Sequence, residues 1–107
     1  MSWKKPKTIQ REEGVESWCR AYAHERGWVS RKMNGLGFRS WPDRLFVPPP
    51  KRPEASRFWV EFKRPGKTST PDQARMQKDL RNRGEVVYVC SNKQRFVEIF
   101  DGHHHYG

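Results

Sequence analysis

The chain has 107 residues, with 22 Lys and Arg against 12 Asp and Glu, a formal net charge of +10, and room for one domain with one modest core. That balance argues against an acidic scaffold such as a calcium buffer and for a polyanionic partner, nucleic acid first and an anionic membrane surface second. Its apolar runs fall far short of the ~20 residues a spanning helix needs, which excludes a transmembrane reading.

Residues 1–9 (MSWKKPKTI) read as a basic flexible arm. From Ile9 to Arg26 the pattern is helical: Val15, Trp18, Cys19, Tyr22 and Ala23 form one stripe of a 3.6-residue period, and Gly27 stands where a C′ glycine would end the helix. The period then changes to two. Trp28 to Met33 is a strand, Asn34 to Trp41 a Gly-bearing loop, and Pro42 to Val47 a second strand stopped by Pro48-Pro49-Pro50. Lys51 to Ser56 is a basic connection. Arg57 to Lys63 is the clearest strand, with Phe58, Val60 and Phe62 on one face and Trp59, Glu61 and Lys63 on the other.

After a loop from Arg64 to Ser69, Thr70-Pro71-Asp72-Gln73 has the composition of a capped helix start: N-cap threonine, proline at the first helical position, an acid in the first turn and glutamine at N3. That helix closes at Gly84. Glu85 to Ser91 reads as a buried strand from its β-branched content, Gln94 to Phe100 as a short helix, and Asp101 to Gly107 as a tail. The expected fold is α/β, a mixed central sheet flanked by helices in the order α-β-β-β-α-β-α.

The informative residues are acids in a basic chain. Asp43 opens a strand after the Gly-bearing loop, and Glu61 and Lys63 share one face of a later strand. If the strands are antiparallel neighbours, Asp43 and Glu61 converge. Two adjacent carboxylates raise each other's pKa unless a cation lies between them, and hard oxygen donors in a partly hydrated site suit Mg²⁺. Such an ion activates water and acts on phosphodiester oxygens, beside which Lys63 can orient the nucleophile or offset developing charge. Taken singly, each signal has a plain structural reading: Glu-x-Lys as a solvated ion pair, Pro-Asp as a turn. Glu12 and Glu16 both border the buried stripe of the first helix. Gln73 has a sufficient role as a capping residue.

In order and spacing, however, these residues resemble the PD-(D/E)XK nuclease superfamily and, more narrowly, the VRR-NUC family of virus-type replication-repair nucleases. The similarity runs from about Glu12 to about Val97. It includes Glu12-x-x-Val15-Glu16, Arg26-Gly27-Trp28, Lys32, Pro42-Asp43-Arg44-Leu45-Phe46, the segment Phe58 to Lys67 (FWVEFKRPGK), Gln73, and Leu80-x-x-x-Gly84 with the following Val86-Val87-Tyr88-Val89 and Ser91. The resemblance implies a restriction-endonuclease-like core over residues 10–100 and DNA cleavage dependent on Mg²⁺ or Mn²⁺. Asp43, Glu61 and the Phe62 carbonyl would hold the metal, Lys63 would act on the nucleophile, and Gln73 would be the helix glutamine near the site. Glu16 would be the helix glutamate, on its spacing to Gly27, with Glu12 the alternative. Lys32, Arg39, Arg44, Lys51, Arg52, Arg64 and Lys67 would be the phosphate contacts, against a generically basic surface as the plain reading. Ser40 stands where the family usually has glycine, and Trp41 is bulkier than usual, a packed ring or a DNA-facing wedge.

The implied activity is an endonuclease on branched DNA, resembling a Holliday junction resolvase that works as a homodimer without organic cofactor. The alternatives are a flap or nicking enzyme, an RNA-directed nuclease, and a non-catalytic basic DNA-binding module. No charged-then-apolar leader opens the sequence, so an intracellular, cytoplasmic setting is expected. Cys19 and Cys90 read as buried free thiols. His103-His104-His105 reads as a solvated or appended tail, and His24 as a surface residue.

Overall fold

The computed structural model describes residues 14–51 and 55–103. The arm, Glu12, Arg52, His104 and His105 lie outside them. The elements are α1 (Val15–Glu25), β1 (Val29–Lys32), β2 (Arg44–Val47), β3 (Phe58–Phe62), α2 (Pro71–Asn82), β4 (Val87–Cys90) and α3 (Lys93–His103). Their order is the expected one. They build a four-stranded sheet in the order β1-β2-β3-β4, antiparallel except for the parallel β3–β4 pair.

Both faces of the sheet are covered, and the period-2 alternation of β3 decides what meets which helix. On one face Phe58 and Val60 join Phe46 and Cys90 beneath Trp18, Cys19, Tyr22 and Ala23 of α1 and Phe96, Ile99 and Phe100 of α3. On the other, Trp59 packs with Leu80 of α2 and Val87, edged by Met33, Trp41, Leu45 and Met76. Trp18, Trp28 and Trp59 are therefore core rings. Trp41 is packed too, its ring 5.4 Å from that of Trp59.

The helix ends follow local chemistry. At the end of α1 the Gly27 N–H donates to the His24 carbonyl and the Trp28 N–H to that of Ala23, both at 3.0 Å, a Schellman motif made possible by Gly27 at φ +86°. The same pattern closes α2 at Gly84. At its start the Thr70 hydroxyl accepts from Gln73 N–H while Gln73 Oε1 accepts from Thr70 N–H, completing the capping box. Among the described residues no helix is long and apolar enough to cross a membrane.

Two expectations need correction. β4 is the sheet's outer strand, so it is not buried throughout: Val87 and Cys90 point inward while Val89 is exposed. The tail does not begin at Asp101, because α3 continues to His103, whose ring is buried. His103 Nε2 lies 2.8 Å from the Ser56 carbonyl and 3.0 Å from the Ser56 hydroxyl, and Nδ1 lies 3.0 Å from Tyr88 OH. A carbonyl only accepts, so Nε2 carries the proton and Nδ1 accepts from the tyrosine. Burial holds its pKa below the ordinary histidine value.

Candidate active site

Four of the residues singled out in the sequence come together where β2, β3 and the start of α2 meet. The β2–β3 register pairs Arg44 with Val60, and one step further along the antiparallel ladder sets Asp43 opposite Glu61. Asp43 follows the buried Pro42. Its Oδ2 accepts from the Phe62 N–H at 2.6 Å and its Oδ1 from the Asn34 amide. The carboxylate is thus pinned to the end of β3 on one side and to the β1–β2 loop on the other.

Glu61 sits on the face of the sheet turned to α2 and is only 2% exposed. Its Oε2 accepts from Gln73 Nε2 at 3.4 Å and lies 3.8 Å from Lys63 Nζ. Its Oε1 is buried without a hydrogen-bond partner. Burial, and then repulsion from Asp43, push the Glu61 pKa up to about 7, with Lys63 pulling the other way. The Asp43 carboxyl is also raised, chiefly by burial, against the opposing hydrogen bond from Phe62.

Lys63 continues β3 beyond the ladder, its N–H donating to the Cys90 carbonyl at 2.9 Å. Its ammonium donates to Gln73 Oε1 at 2.5 Å. One Gln73 side chain thus completes the helix cap and links Lys63 to Glu61.

Glu16 stands in the first turn of α1, and its Oε2 accepts from Arg44 Nε at 3.1 Å with Lys32 Nζ at 3.7 Å. Its charge reaches the Asp43 carboxyl. Arg44 also donates to Ser30 Oγ at 3.0 Å, and its side chain is only 12% exposed. Arg44 is therefore turned inward as the partner of Glu16. Arg39, Lys51, Arg64 and Lys67 are exposed on loops, and Lys32 is exposed on the edge strand. Sequence reasoning missed Asn34 and the Phe62 N–H; an amide placed just after a strand and opposite Pro-Asp was the available signal for the first.

The donor set consists of oxygens. Among the described residues no three His, Cys, Asp or Glu side chains cluster as metal ligands, so a site of the structural-zinc kind is not built there. Mg²⁺ asks for less, taking one or two carboxylates and keeping several waters. Two mutually repelling carboxyl groups, one with an orphaned buried oxygen, fit that demand. An open depression of about 450 Å³ runs along α2 beside Ser40 and is not lined by Asp43 or Glu61.

Among solved structures the chain is similar to one described as "VRR_NUC domain", with a TM-score of 0.71 and 23% sequence identity over 84% of this chain and 94% of that one. No protein-family model matches the sequence, and no curated protein matches it significantly. The structural likeness shows that the mixed sheet with helices on both faces is the fold of a VRR_NUC domain.

Proposed function

We propose that the protein is a Mg²⁺- or Mn²⁺-dependent DNA endonuclease of the VRR-NUC kind, acting on branched DNA as a homodimer in the manner of a Holliday junction resolvase. The observation that carries this reading is the convergence of Asp43, Glu61, Lys63 and Gln73 at one end of the sheet, with a buried carboxylate oxygen left unpartnered. An ion pair kept only for structure would have no use for two desolvated carboxyls set against each other, which costs free energy once both ionise.

Asp43 and Glu61 would hold the metal, with the Phe62 carbonyl as a third oxygen donor. Bound there, the ion supplies a lowered water pKa and positive charge against the phosphodiester. Phe62 N–H and Asn34 fix the Asp43 carboxylate before anything binds, so that no reorganisation is needed at the moment of reaction. Lys63, oriented by Gln73 Oε1, presents an ammonium to the nucleophile or to the charge developing on phosphate oxygens. Hydrolysis adds water across one P–O ester bond, its hydroxyl going to phosphorus and its proton to the departing oxygen. Glu16 is the helix carboxylate of the set, held by Arg44. Arg39, Lys51, Arg52, Arg64, Lys67 and Lys32 are the proposed contacts to phosphates, which position the duplex without reading bases. Two copies related by a twofold axis would cut two strands of a junction in concert.

The test is cleavage of a labelled four-way DNA junction beside linear duplex, flap, single strand and a matched RNA, in Mg²⁺, Mn²⁺ or EDTA. Paired symmetric nicks in the junction, dependent on metal and lost in Glu61→Ala, are expected. Tight binding by the wild type without cutting in either metal would leave a DNA-binding module as the better account.

A further inference from the structure

The loop between β1 and β2 carries an apolar tip that the fold does not use. Its neck is closed by Met33 N–H donating to the Asp43 carbonyl at 2.8 Å, and Asn34 ties it to the Asp43 carboxylate. Beyond the neck, Phe38 N–H donates to the Gly35 carbonyl at 2.9 Å and Gly37 has φ +87°, as in a type II turn with Leu36 and Gly37 at its centre. Glycine takes that φ without strain, so Gly35-Leu36-Gly37 by itself places leucine at the outer corner. Leu36 is 100% exposed.

Behind the tip runs a file of rings. Phe38, half-exposed, stands edge-on to Trp41 at 5.6 Å, Trp41 leans on Trp59 at 5.4 Å, and Trp59 Nε1 donates to Glu85 at 2.8 Å. The backbone of the corner is thus held by a turn whose last residue, Phe38, is propped from the core, so little backbone entropy remains to be lost when Leu36 touches something. A turn needs no leucine: Gly, Asn, Asp or Ser serves the backbone equally well. Arg39 follows directly and is exposed. In a chain of net charge +10 this cationic surround suits a polyanion better than an apolar protein face.

We propose that Leu36, at the corner of this turn, enters the base stack of DNA bound at the Asp43–Glu61 site, favouring DNA whose stacking is already interrupted at a branch point. An apolar wedge must open a base step to enter, which costs a few kcal/mol in continuous duplex and less where a branch has opened it already. The neck of the loop is tied to Asp43 through Asn34, so the loop that carries the tip springs from beside the carboxylates. This inference rests on the nuclease reading for where DNA lies.

The experiment uses the full chain in EDTA, so that binding is read without cleavage. 2-Aminopurine is placed at the branch of a four-way junction and at the matching position of a linear duplex. The wild type should raise junction emission strongly and bind the junction in preference to duplex. Leu36→Ser should lose the emission and reduce that preference about tenfold or more, the scale of burying one leucine side chain. Leu36→Met should restore both. Unchanged emission and preference in Leu36→Ser would overturn the proposal, as would loss of emission accompanied by a fall from dimer to monomer in sedimentation, which makes the tip a contact between copies. Emission that behaves as expected in a wild type that cuts no DNA in Mg²⁺ or Mn²⁺ would sink the nuclease reading alone; cutting without an emission change would sink this one alone. Failure to bind either DNA would overturn both.

Discussion

Replacing Glu61 by glutamine should make the metal-free protein more stable at neutral and alkaline pH while abolishing cleavage. The folded state raises the Glu61 pKa from 4.5 to about 7, first by burial and then by the charge of Asp43. Below pH 4.5 the group is protonated whether the chain is folded or not, and it costs nothing. Between 4.5 and about 7 the unfolded chain releases its proton first, so stability falls as pH rises; above about 7 the full cost is present. At about 1.4 kcal/mol per pH unit that cost reaches at most about 3.5 kcal/mol. Glutamine keeps the shape and stays neutral. His103 titrates in the opposite sense: its pKa is lowered by burial, so its contribution is complete above about 6.5 and is lost as pH falls. The difference between wild type and Glu61→Gln cancels that term. The assay is urea unfolding in EDTA at pH 5 and pH 8.5. Glu61→Gln should gain about 1–3 kcal/mol over wild type at pH 8.5 and less than about 1 kcal/mol at pH 5. Adding Mg²⁺ or Mn²⁺ at pH 8.5 should stabilise the wild type and leave the variant unmoved. A variant less stable than wild type at pH 8.5 in EDTA would refute the reasoning.

Lys63→Met should lower cleavage by about 10²–10³-fold while junction binding persists, and Lys63→Arg should not rescue it, because a planar guanidinium cannot take the place of the ammonium held by Gln73; single-turnover rates decide this. Gln73→Glu keeps the capping box but sets a carboxylate against Glu61, so α2 should remain stable while cleavage falls, whereas Gln73→Ala should lose the cap as well, about 1 kcal/mol by thermal unfolding. His103→Ala should cost about 2–4 kcal/mol, as for other buried rings cut back to alanine, and leave the cleavage rate per folded molecule unchanged. If Arg64 and Lys67 touch phosphates, replacing each with glutamine should weaken binding of every DNA alike and reduce the slope of log affinity against log salt by about one.

What was legible in the sequence was local. The capping box at Thr70-Gln73, the glycine that ends α1 and the alternation of β3 are each written within a few residues, and each is present in the structure. The meeting of Asp43 with Glu61 was legible only conditionally, because it requires an antiparallel β2–β3 pair and a register that no short segment encodes. The partner of Arg44 was hidden for a related reason. A cation beside a carboxylate motif looks like a phosphate contact until Glu16, from a helix 28 residues away, claims it. His103 carried an overlooked signal. Phe96, Ile99, Phe100 and His103 fall at i, i+3, i+4 and i+7, which continues the buried stripe of α3 through the histidine. Its partners Ser56 and Tyr88 lie on other elements, and periodicity cannot name them.

The site works against the fold that carries it. Glu61 occupies a position in a core strand between β2 and β4, beside Trp59 and Val60, where an apolar residue would be more stable. Burial makes its carboxyl reluctant to ionise, and Asp43 opposite makes it more so. What offsets this in the free protein is slight: a long hydrogen bond from Gln73 and an ammonium 3.8 Å away. The ammonium is itself committed to Gln73 Oε1, which in turn is committed to the cap of α2. The start of α2 thus holds the lysine in place without neutralising the glutamate, and the residual electrostatic demand at Glu61 Oε1 is left for a cation to meet. On the proposed reading, metal affinity and instability would be two consequences of one arrangement, and a substitution that relieves the second should remove the first.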